Sequence, residues 1–81
     1  MKKNYRVSLE EFKNYFLAYY DTIKQEITIY SLMKYMSKRG CHISWVTCRH
    51  YLQELEHMGI VKRRMFLNRK LYLPVGETMI F

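Results

Sequence analysis

Apolar and polar residues alternate along this chain with two different periods. Leu9, Phe12, Phe16 and Tyr19 recur at three- and four-residue steps, with Tyr15 alongside, while Glu10, Glu11, Lys13 and Asn14 fall on the opposite side. Ser8-Leu9-Glu10-Glu11 matches the capping box, in which a hydroxyl and a carboxylate satisfy two backbone N–H groups at a helix start. A first helix is expected from here. Residues 21–26 lack a period, and the β-branched Ile27-Thr28-Ile29 suits a short bridging strand, with Thr28 also able to cap the next helix. Ile29, Leu32, Met33 and Met36 form a second helical stripe, closed by Lys38-Arg39-Gly40. After Cys41-His42-Ile43, Ser44 is a good cap for a third helix over about 44–58, stopped by Gly59.

Beyond Gly59 the helical period ends. Residues 60–66 and 70–73 read as two strands around Leu67-Asn68-Arg69, a hairpin, with Pro74 limiting the second strand. The pattern therefore predicts an α+β fold of three helices and a C-terminal hairpin, with a possible short strand between the first two helices. It is read as one domain over 1–81, with 1–7 as a basic arm and 76–81 as an apolar tail.

That order of elements brings a resemblance into view. The segment from Ser44 to Val61 resembles the recognition helix of winged helix-turn-helix DNA-binding proteins, where a small apolar residue, two leucines, and glycine followed by Ile or Val recur. Cys48, Leu52, Leu55, Gly59 and Ile60-Val61 fill those slots, and the following hairpin is similar to the wing. The resemblance covers about residues 8–75. It implies a winged-helix fold and a regulator of transcription that binds double-stranded DNA, with 44–58 in the major groove and the wing, 60–73, on phosphates or in the minor groove.

Composition and charge agree with this. The 81 residues are 49% hydrophobic and 26% charged, enough for one core and far from a disordered composition. No run reaches the roughly 20 apolar residues of a membrane span, and the start of the chain does not resemble a secretion signal. A cytoplasmic protein with Cys41 and Cys48 reduced is expected. The formal charge is +7, and eight basic residues against two acids between Lys38 and Lys70 account for +6 of it. Such a concentration suits a polyanion binder.

On a wheel of about 100° per residue, Cys48, Leu52 and Leu55 face inward and Val46, Arg49, His50, Gln53 and His57 face outward. Arginine pairs bidentately with guanine and glutamine with adenine, and valine meets the thymine methyl, so Val46, Arg49, His50 and Gln53 are the candidates for base readout, with Arg49 and Gln53 foremost. Ser44 and Thr47 are candidates for phosphate, at the helix start. Glu54 and Glu56 must face away from phosphate or accept from cytosine. Trp45, bordering the apolar face, is expected in the core.

Lys62, Arg63, Arg64, Arg69 and Lys70, with Asn68 at the tip, are the wing candidates for phosphate or the minor groove. A charged edge that deters aggregation is the plainer account of the same residues. If about six cations reach phosphates, log affinity falls against log salt with a slope near −5. Lys2, Lys3 and Arg6 could add an arm to the backbone contact.

Cys41, His42, Cys48, His50 and His57 lack paired zinc-ligand spacing, and neither a nucleotide-binding glycine loop nor a nucleophile-base set is present. No enzyme, metal, cofactor or small-molecule ligand is expected. A homodimer is, because one helix reads few base pairs and half-sites lie about 34 Å apart, with the first helix and Met79-Ile80-Phe81 available as contact. The alternative is a winged-helix module that binds an acidic protein partner. Non-specific nucleic-acid or RNA binding ranks last, because most aromatics fall on core stripes.

Overall fold

In the computed structural model, which describes residues 7–76, three helices precede an antiparallel two-stranded hairpin, an α+β arrangement consistent with a winged-helix layout. The helices are α1 (Leu9–Ile23), α2 (Ile29–Lys38) and α3 (Trp45–His57), and the strands are β1 (Val61–Phe66) and β2 (Arg69–Pro74). The basic arm lies almost wholly outside the described residues, as do Met79, Ile80 and Phe81 of the expected dimer contact. No helix among the described residues is long and apolar enough to cross a membrane.

Local chemistry sets the helix ends. Ser8 and Glu11 close their reciprocal capping box, and the α1 chain leaves through Lys24 at a φ of 53°. Thr28 caps α2 with Ser31 as its reciprocal partner, and the Ser44 hydroxyl caps α3 by accepting from the Thr47 N–H at 3.1 Å. Gly40 and Gly59 take positive φ just past α2 and α3, where a β-carbon would be strained.

Phe12, Phe16 and Tyr20 of α1 pack with Ile29, Leu32 and Met36 of α2 and Cys48, Leu52 and Leu55 of α3. Val61, Tyr72 and Leu73 of the hairpin complete the core, together with Val7 and Ile27. Tyr20, not the expected Tyr19, continues the α1 stripe. Tyr19 is half-buried and stacks on Tyr35 of α2 with ring centroids 4.5 Å apart.

The expected strand before α2 shrinks to one residue. Ile27 exchanges both backbone hydrogen bonds with Tyr72 at 2.8 Å, while Thr28 turns away as a cap and Ile29 enters the helix. Here a capping side chain competes successfully with β-propensity. The hairpin turn also differs from expectation: it is the two residues Leu67 and Asn68, with φ of 50° and 68°, and Arg69 already pairs with Phe66. Two consecutive positive φ values are the mark of a type I′ turn, whose twist matches that of the strands.

Trp45 is not in the core. It is 51% exposed. Helical side chains lean toward the N-terminus of their own helix, so a residue at the first position overhangs the end of the packed layer.

Candidate nucleic-acid interface

The outward face of α3 carries Val46, His50, Gln53 and His57, all exposed, and Arg49 at its half-buried edge. Arg49 lies beside Trp45, its guanidinium 5.8 Å from the ring centroid. The two acids of α3 are occupied. Glu54 lies 3.9 Å from His50, and Glu56 reaches across to Arg63 of β1 at 3.5 Å. Both pairs are exposed enough to be worth little in stability. The second nonetheless sets the charge of Glu56 against a cation of the same chain, and Gln53 has no intrachain partner among the described residues.

Ser44 is engaged twice with Thr47, accepting from its amide and donating to its hydroxyl at 3.0 Å. These two hydroxyls are thus part of the helix cap. With Val46 and His50 they border a depression reached by Val7 and Tyr51. The Tyr51 hydroxyl donates to the Val7 carbonyl at 2.7 Å, so the chain preceding α1 is fastened to α3.

The hairpin pleat divides the wing cations. Residues paired across strands share a side of the sheet. Val61, Arg63 and Met65 therefore lie with Pro74, Tyr72 and Lys70, and the burial of Val61 and Tyr72 identifies this side as the one toward the helices. Lys62, Arg64 and Phe66 lie on the other side with Leu73, Leu71 and Arg69, a side on which Leu73 is also buried, near Gln25 and Glu26 of the α1–α2 connection.

Arg64 makes a bidentate pair with Glu26, at 2.7 and 2.6 Å, which holds the Glu26 carboxyl below its ordinary value. Glu26 belongs to the α1–α2 connection, and the sequence pattern did not single it out: the pairing spans 38 positions, and no local spacing announces it. Lys62, Arg69 and Lys70 have no intrachain ion-pair partner among the described residues. Lys62 and Arg64 border one groove with Gln25 and Glu26, whereas Asn68, Arg69 and Lys70 border another with Trp45 and Tyr30. The structure thus brings the wing tip to the start of α3 and leaves Lys62 and Arg64 apart from that junction.

Tyr30 was also missed. It falls off the apolar stripe of α2 and is 69% exposed, with Lys34 Nζ 5.5 Å from its ring. An aromatic on the polar side of an amphipathic helix was the available signal.

Cys48 is fully buried, and burial pushes its thiol up to about 12. Among the described residues no group of three or more His, Cys, Asp or Glu side chains is placed to hold a metal ion. No protein-family model, curated protein or solved structure matches the chain.

Proposed function

We propose that this protein binds double-stranded DNA as a transcriptional regulator, with α3 in the major groove and the wing against the backbone. The observation that carries the reading is the charge arrangement. α3 exposes Gln53 and carries Arg49 at its half-buried edge, its Glu56 is paired with Arg63, and the adjoining wing tip offers Arg69 and Lys70 without internal ion-pair partners among the described residues. Arg49 and Gln53 read bases, Val46 meets a thymine methyl, and His50 borders them. Arg69, Lys70 and, from the far side of the hairpin, Lys62 supply phosphate contacts. Ser44 and Thr47 support the helix start and approach the backbone with it. A homodimer on paired half-sites would give one short helix an adequate target.

The test is selection from a library of random duplexes, repeated with Arg49→Ala and Gln53→Ala. Each variant is expected to relax preference at its own base position, at a cost of about 1–3 kcal/mol. An equal loss on every sequence would overturn base readout by that residue.

A second reading, an acidic protein partner, is favoured by Met65, Phe66 and Leu67, all at least half exposed beside the wing cations. Retention of acidic proteins together with indifference to DNA at low salt would select it.

A further inference from the structure

The groove between the start of α2, the start of α3 and the wing tip has a composition that duplex binding alone does not require. It encloses about 510 Å³ and is lined by Thr28, Ile29, Tyr30, Trp45, Asn68, Arg69 and Lys70, with no acid among them. Tyr30 and Trp45 are its two aromatics, both exposed, at 69% and 51%. Each has a cation near its ring, Lys34 for Tyr30 and Arg49 for Trp45. Large aromatic surface left in water beside several cations is the combination used to stack bases while holding phosphates.

Resting on the nucleic-acid reading above, we infer that this groove seats a single unstacked nucleobase at the edge of a duplex. Tyr30 and Trp45 supply the stacking surfaces, and Arg69 and Lys70 bind the phosphates that flank the base. The Asn68 amide, which can donate and accept, meets the edge of the base. The Thr28 hydroxyl is committed to Ser31 and takes no part.

A paired base offers only its edges in the grooves of a duplex, so exposed aromatic faces gain little from it. An unpaired base offers its π-face. An apolar helix from a partner protein fits less well, since it would bury Arg69 and Lys70 against hydrocarbon without compensation. The occupant that satisfies both the rings and the cations is a nucleotide with its base turned out.

Trp45 is the only tryptophan of the chain, so its fluorescence reports on this groove and on the adjoining start of α3, where Arg49 lies beside it. The experiment titrates the protein with a blunt duplex, the same duplex carrying a short single-stranded tail, and the tail strand by itself. Trp45 emission and the anisotropy of labelled DNA are both recorded. The tailed duplex is expected to quench Trp45 more deeply and to bind about tenfold more tightly than the blunt one. Tyr30→Ala should abolish that advantage and leave blunt-duplex affinity unchanged, while Tyr30→Phe restores it. Equal quenching and affinity with blunt and tailed duplexes overturns the base seat and leaves duplex binding standing. Equal weakening of both by Tyr30→Ala also overturns it. Failure of every DNA to bind overturns the seat and the proposed function together.

Discussion

Leu67 occupies a backbone conformation that its side chain opposes. A β-carbon in the left-handed region costs roughly 1–2 kcal/mol, and Leu67 is 79% exposed, so little packing offsets the strain. Leu67→Asn is expected to stabilise the protein by about 1 kcal/mol, raising the thermal midpoint by about 4–8 °C. An unchanged or lower midpoint in a thermal melt would show that Leu67 is held by contacts the fold needs. The two cysteines differ in a similarly testable way. Cys48 is buried and its thiol is pushed up to about 12, whereas Cys41 is half-buried. Alkylation of the native protein followed by mass spectrometry should modify Cys41 first, with Cys48 reacting only after denaturation. Simultaneous labelling would mean that the core opens readily. Trp45 carries the same lesson from the opposite direction. Its position on the helical wheel was legible in the sequence, but its exposure depended on whether anything packed beyond the first turn of α3.

The Glu26–Arg64 pair fastens the α1–α2 connection to the wing. Because the Glu26 carboxyl is held below its ordinary value of 4.5, its contribution is fully present at neutral pH. It is lost as pH falls from that value through the lower one of the folded state. Urea midpoints taken on descending pH should therefore drop more steeply for the native protein than for Glu26→Gln. The same substitution releases Arg64, and if the freed guanidinium reaches DNA the salt slope should steepen by about 0.9. Parallel midpoints would show that the pair adds nothing to the stability of the fold, and an unchanged slope would show that Arg64 does not reach DNA. Element boundaries were legible because Ser8, Thr28, Ser44, Gly40 and Gly59 each act on the adjacent backbone. The hairpin turn is one residue shorter than expected, because Arg69 pairs with Phe66 as the start of β2 and no Asn-Gly or Asp-Gly pair marked a two-residue turn. Charge at the candidate site was equally legible, but its disposition was not. Arg63 and Arg64 are occupied by Glu56 and Glu26, residues brought to them only by the tertiary fold.

For the whole molecule, that disposition lowers the expected electrostatic signature of binding. With Arg63 and Arg64 occupied, the wing retains Lys62, Arg69 and Lys70, and the expected slope of log affinity against log salt is near −3 in place of −5. A slope near zero would remove phosphate contact from the proposal, and one near −5 would mean that the internal ion pairs open on DNA. The bridge between Ile27 and Tyr72 bears on how the chain is made. Val61, Tyr72 and Leu73 are core residues supplied by the hairpin, so during synthesis all three helices are made before the core can close. The apolar stripes of α1, α2 and α3 must wait on the ribosome for the hairpin to emerge. A nascent chain halted before Tyr72 would therefore be a natural client for chaperones, however well its helices are capped.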